Sequence, residues 1–285
     1  MYSRQELFLG KKAQVNIKKS KIAIIGLGSL GTVAAGLLAR AGIGELILID
    51  RDCVEISNLH RQTLFTRNDI SKPKVIAAKE ALSKINPNIK ISAHFTSLDN
   101  ENIGLVKPDI ILDCTDNLET RFLINDYSKK NNIPFIYASA IKDKGYIYNI
   151  LPEKPCLKCI LKESITNETC ETAGVLNTIT SLIASLQVNE AIKILLDKNP
   201  EKDLLHIDLS RNQLLKIKVK KDPNCPACNK NFEYLSGKKL LKSAHYCGSA
   251  YLIKGKFNFQ DIKSRLEKLG IKDFGHAFIF DKLTV

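Results

Sequence analysis

No apolar run in this 285-residue sequence approaches the roughly 18–20 residues that a membrane-spanning helix needs. The N-terminal Met1-Tyr2-Ser3-Arg4-Gln5-Glu6 lacks the charged-then-apolar layout of a secretory signal, so the expected location is the cytoplasm, away from membrane. There is no internal repeat and no low-complexity tract. G-x-x-x-x-G-K-[ST] is absent, which excludes a P-loop as the means of holding a nucleotide. The formal charge of +13 comes without a zinc-finger helix, an RNP-type strand or a basic arm. The lysines are scattered and seldom interleave with aromatics, which describes a solvated surface, suited to an acidic protein partner, rather than a nucleic-acid face. His94, His206, His245 and His276 form no ligand pattern.

What is present is a chain of ordinary apolar content, 44% hydrophobic, in which short apolar runs alternate with amphipathic stretches. Strands are expected at residues 22–25, 46–50, 109–113 and 134–138, and helices at 30–41, from Lys72, and from about Leu118. This alternation predicts an α/β fold with a Rossmann-like, doubly wound, mostly parallel sheet. The stretch from Pro152 to Thr172 lacks periodicity and reads as a surface crossover, about 152–177 in all. A helix is expected over 179–196, with strands near 204–209 and 214–219. The expected division is a domain over 1–235 and a small α+β C-terminal extension over 236–285, with strands at 251–253 and 277–280 around a helix at 262–269.

Gly26-Leu27-Gly28-Ser29-Leu30-Gly31 falls between an expected strand and helix, with Asp50 ending the next strand. Missing side chains let backbone approach a phosphate, the helix N-terminus offers free N–H groups, and a downstream acid can grip ribose hydroxyls. Alone this specifies an adenine nucleotide, and an NAD-dependent oxidoreductase would use it equally well. Asn58-Leu59-His60-Arg61-Gln62, Lys74 at a helix start, and Asp113-Cys114-Thr115-Asp116-Asn117 at a strand end add cations and a carboxylate. Those groups suit a triphosphate with magnesium and have no task in hydride transfer.

Cys156-Leu157-Lys158-Cys159 and Cys225-Pro226-Ala227-Cys228 are two C-x-x-C knuckles. Together they can complete a closed tetrahedral sulfur shell for a structural zinc; a redox disulfide is the other reading of either pair. Cys53, Cys114 and Cys247 read as packing residues, and His60 as a neutral structural histidine.

Arg4-Gln5, GLGSLG, LILID, NLHRQ, PKV and DCTDN occur in the order and spacing of the ThiF/MoeB/HesA proteins, relatives of ubiquitin-activating enzymes, and the resemblance runs from about residue 2 to 230. It implies adenylyltransferase activity: ATP-dependent activation of the C-terminal Gly-Gly carboxylate of a ubiquitin-like sulfur-carrier protein, for sulfur transfer or protein conjugation. It puts ATP over Gly26, Gly28 and Gly31 with Asp50 on the ribose. Asn58, Arg61 and Lys74 match residues that hold phosphates, and Asp116 matches a magnesium-linked aspartate. Arg4 matches an arginine that enters the active site of a partner subunit, which implies a homodimer. The paired knuckles agree with zinc carried by many members. Cys170, before Ala173-Gly174-Val175, matches a cysteine that is covalently catalytic in some members and dispensable in others. The segment after Ser236 is too short for the sulfur-transferring rhodanese domain of some relatives, so sulfur would come from a separate donor. A non-catalytic binding member is the remaining alternative within the family; the joint presence of Arg4, Arg61, Lys74 and Asp116 argues against it.

Overall fold

A computed structural model describes residues 1–105, 107–161, 173–239, 272–273 and 278–279. Its centre is an eight-stranded sheet of order β3-β2-β1-β4-β5-β6-β7-β8. The strands are β1 (Lys21–Ile25), β2 (Glu45–Asp50), β3 (Lys90–Phe95), β4 (Ile110–Asp113), β5 (Phe135–Ile141), β6 (Lys144–Ile150), β7 (Leu204–Asp208) and β8 (Gln213–Ile217). Pairings from β3 across to β5 are parallel. Those from β5 to β8 are antiparallel. The helices are α1 (Ser3–Leu9), α2 (Lys11–Lys19), α3 (Ser29–Ala41), α4 (Lys74–Ile85), α5 (Leu118–Asn131) and α6 (Asn177–Leu195). Among the described residues no helix is long and apolar enough to cross a membrane.

Strand alternation sorts the core into two layers. Ile22, Ile24, Leu46, Leu48, Ile110 and Leu112 join one buried cluster with residues of α3, α4 and α6. Ala23, Ile25, Ile47, Ile49 and Ile111 join the other, with Phe122 and Leu123 of α5, Cys156 and Cys225. Runs such as Ile22–Ile25, apolar at every position, are what strands covered on both faces require.

From β1 the chain winds outward through β2 to β3, then returns to place β4 on the other side of β1. The carboxyl ends of β1 and β4 therefore flank a topological switch point, where open α/β sheets bind ligands. The segment after β6 departs from the surface path that its composition predicts: Cys156, Leu157 and Lys158 are buried. Leu157 N–H donates to Asn125 Oδ1 of α5 at 2.8 Å. In the extension, β9 (Lys272–Asp273) and β10 (Phe278–Ile279) form a two-stranded antiparallel sheet. The strand and helix expected at 251–253 and 262–269 lie outside the described residues, as do Cys170 and Cys247.

Candidate active site

The loop after β1 is closed down by its own backbone. Gly26 has φ +92, and a Cβ there would lie 2.6 Å from the Cys114 carbonyl oxygen at the end of β4. A Cβ on Gly31 would lie 2.0 Å from the Gly26 carbonyl oxygen, so that glycine lets α3 start directly against the loop. Gly28 is different, because a Cβ on it would meet nothing within 4 Å. Protein packing does not require glycine at 28, and the space beside it is open at the N-terminus of α3.

Around this loop opens a cleft of about 1410 Å³, lined among others by Gly26, Gly28, Asp50, Asn58, Arg61, Lys74 and Asp116. Asp50 caps β2, its Oδ2 accepting from Leu27 N–H at 2.5 Å and its Oδ1 from Asp52 N–H at 2.7 Å. Burial pushes its pKa up to about 6, with Lys74 opposing the rise and Asp52 adding to it. Lys74, at the first turn of α4, is 6% exposed, and its Nζ lies 3.0 Å from Asp52 Oδ2. Its cation is thereby fixed at the cleft wall before any ligand arrives. Asn58, also buried, closes a short turn by accepting Glu55 N–H on Oδ1 at 3.2 Å. Arg61 Nη1 donates to Ser57 O at 2.9 Å, anchoring its guanidinium on the same turn. His60 is exposed and is not among the residues lining the cleft, with its Nδ1 3.4 Å from Arg61 Nη1.

On the far side, Asp116 is exposed between β4 and α5. Asn117 caps α5, accepting Thr120 N–H at 2.9 Å. Arg121, which the sequence reading did not single out, also lines the cleft. Its Nε donates to the buried Asp113 at 3.1 Å, its Nη2 to Thr115 O at 2.5 Å, and its guanidinium lies 5.1 Å from the Tyr137 ring centre. An arginine one turn into the helix that follows a strand-end Asp was the available signal. Tyr137, Tyr146 and Tyr234, likewise unforeseen, add aromatic walls. Arg4 stands apart: it is exposed on α1, outside the lining of this chain's own cleft.

The sulfurs of Cys156, Cys159, Cys225 and Cys228 all lie within 4.8 Å of one another. Cys156 and Cys225 lie 3.4 Å apart and Cys159 and Cys228 3.6 Å apart. Tetrahedral zinc with bonds of about 2.3 Å separates its sulfurs by roughly 3.8 Å, so this set fits one ion. Both separations join one knuckle to the other and far exceed the roughly 2.05 Å of a disulfide. Burial also pushes the Cys53 thiol up to about 12 and that of Cys114 well above the usual range, and both side chains line the cleft.

Comparison with known proteins bears on the cleft. The model of the ThiF family matches residues 2–227. A sulfur carrier protein ThiS adenylyltransferase of Bacillus subtilis (strain 168) is 38% identical over 258 residues, covering 87% of this chain and 77% of the relative. The protein of the same name from Escherichia coli (strain K12) is 37% identical over 235 residues, covering 80% of this chain and 94% of the relative. Among solved structures, E. coli MccB with ATP aligns with a TM-score of 0.71 at 26% identity, covering 80% of this chain and 73% of that one.

Proposed function

Because the chain belongs to the ThiF family, we propose that it adenylylates the C-terminal Gly-Gly carboxylate of a ubiquitin-like sulfur-carrier protein, using ATP and magnesium and releasing pyrophosphate. The observation that carries this reading is the convergence of Asn58, Arg61, Lys74 and Asp116 on the cleft over Gly28. One carboxylate oxygen of the carrier attacks the α-phosphorus, the bond to the bridging oxygen breaks, and pyrophosphate leaves with that electron pair. No proton needs to move in this step. The protein's task is to hold the nucleophile in line and to meet phosphate charge with fixed cations. Arg61 and Lys74 supply those cations, Asp50 receives ribose hydroxyls, and Gly28 leaves room for phosphate. Asp116 would hold magnesium, which supplies further charge neutralisation for the leaving group. Hydride transfer would leave these groups without a role, which disfavours the oxidoreductase alternative.

The same reading includes a cytoplasmic homodimer in which Arg4 completes the cleft of the partner subunit. Its support is that Arg4 is exposed on a helix whose Leu7 and Phe8 are 78% and 86% exposed. A zinc ion on the four cysteines is assigned a structural role, since closed sulfur coordination leaves no position for substrate.

The test is intact-mass spectrometry of Gly-Gly-ending carriers incubated with the protein, ATP and magnesium. A carrier gaining one AMP, and losing that ability when its final glycine is removed, is the expected result. Tight NADH binding with no carrier modified would replace this reading with the oxidoreductase one.

A further inference from the structure

Lys158 sits between the two cysteines of the first knuckle, yet it is buried, 7% exposed. Its Nζ lies 3.4 Å from Asp126 Oδ1 and 3.6 Å from Glu233 Oε2. It also lies 4.8 Å from the ring centre of Tyr234 and 5.7 Å from that of Phe122. Neither Nζ nor Asp126 Oδ1 makes a hydrogen bond of standard geometry. The cation is held by ion pairing and aromatic faces, and such a charge is tolerated inside a protein only while its partners surround it.

Those partners belong to three different segments. Asp126 and Phe122 are on α5, Lys158 is on the first knuckle, and Glu233 and Tyr234 follow the second knuckle by a few residues. Tyr234 is fixed further: its N–H donates to Asp126 Oδ2 at 2.9 Å, and its ring packs on Phe122 at 5.5 Å. Lys239 extends the same arrangement, pairing with Glu233 at 3.4 Å and lying 5.8 Å from the Tyr234 ring. Phe122, Tyr234 and Lys239 all line the nucleotide cleft. Leu98, in the loop beyond β3, joins Phe122 and Tyr234 in one buried cluster and lines the same cleft.

We propose that Lys158 is a positioning residue through which metal occupancy of the four-cysteine cluster sets the shape of the nucleotide cleft. This rests on reading that cleft as an ATP site. An ion shared by the four sulfurs clamps both knuckles, and Lys158 and Tyr234 are tied to one knuckle each by a short stretch of backbone. The clamp therefore holds the ammonium against the Tyr234 ring, and the ring against the cleft. Without the ion the knuckles are free to separate, Lys158 loses its fixed seat, and the aromatic wall is no longer held.

The experiment compares wild-type protein, a Lys158→Met, Asp126→Asn double variant, and Tyr234→Ala. The double variant removes the buried cation together with its buried carboxylate, so no uncompensated charge remains. Zinc per chain is measured by atomic absorption, ATP affinity by calorimetry before and after chelation, and folding by thermal unfolding. The wild type is expected to bind ATP at least about fivefold more weakly after chelation, the low end of ordinary site-to-site coupling. The double variant should keep one zinc, show that weakening already in its zinc-loaded form, and respond no further to chelation. Tyr234→Ala, which leaves the buried charges in place, should also lose the response. A zinc-loaded double variant that binds ATP as tightly as wild type overturns the proposal, as does a folded, chelated wild type of unchanged affinity. If chelation unfolds the chain, the zinc-loaded double variant alone decides in the same two directions. A zinc-loaded wild type that binds no ATP is a separate outcome, which removes the ATP reading of the cleft and this inference with it.

Discussion

The nucleotide cleft and the four-cysteine cluster are built in opposite ways. In the cleft, Arg61 from the turn after β2, Lys74 from the start of α4 and Asp116 from the β4–α5 connection line an open space of about 1410 Å³. In the cluster, four sulfurs lie within 4.8 Å of one another, and two of the cysteines, Cys156 and Cys225, are almost fully buried. An open site with prearranged cations is equipped to stabilise a changing charge distribution. A closed one can only hold an ion and, through it, the chain. Each site has a buried lysine paired with an aspartate: Lys74 with Asp52 in the lining of the cleft, and Lys158 with Asp126 beside the cluster.

If that contrast is right, damage to the cluster should appear as stability and damage to the cleft as rate. The largest effect is expected from Cys225→Ser. It should abolish stoichiometric zinc and destabilise the fold by about 4 kcal/mol or more, the range of lost metal sites, as read by chemical denaturation and metal analysis. Asp116→Ala comes next. Because Asp116 is exposed, the variant should unfold like wild type while carrier adenylylation falls by about 10²–10³, the usual cost of one electrostatic contact to a transition state. Equal loss of stability and rate in either variant would break the comparison.

The glycine loop sharpens it within a single motif. Gly31→Ala places a methyl against the Gly26 carbonyl and should cost about 1–3 kcal/mol of stability. Gly28→Ala has room, so stability should stay within about 0.5 kcal/mol while the KM for ATP rises. Thermal unfolding and steady-state kinetics of the two variants separate the roles.

The smallest effect concerns pH. The pKa of Asp50, about 6 in the fold, stands above its ordinary value of 3.8 because burial disfavours the carboxylate. The fold therefore binds this proton more tightly than the unfolded chain does. Asp50's contribution to stability is full below pH 3.8 and is lost as pH rises through 6. Ribose binding runs the other way, since it needs the ionised acceptor: ATP affinity should weaken as pH falls below about 6. Calorimetric titration across pH 5–8 should show this dependence in wild type and its loss in Asp50→Asn.

Much of the cleft was legible in the sequence because its residues sit at fixed offsets from strand ends. Gly26, Asp50 and Asp116 each follow or end an apolar run, and such runs identify buried parallel strands directly. The two knuckles were legible for the same local reason. β3 was not, because His94 and its neighbours from Ile91 to Phe95 are all only partly buried and form no apolar block. β6 was missed where Lys144 and Gly145 open a strand whose Tyr146 is only partly buried, so its apolar run is short. Tyr234 escaped for a deeper reason, since its partners are distant in sequence, whereas Arg121 was readable from its spacing to Asp113. Arg121 lies against Tyr137, and Tyr234 donates its N–H to Asp126. The burial of Lys158 is likewise a tertiary fact, invisible in a segment whose composition reads as surface.

ATP–pyrophosphate exchange tests the central claim most directly, run with magnesium and Gly-Gly-ending carriers beside the Asp116→Ala variant. Exchange should require a carrier and collapse in the variant while its fold is retained. Exchange that proceeds undiminished in Asp116→Ala, or a wild-type protein that binds no ATP, would contradict it.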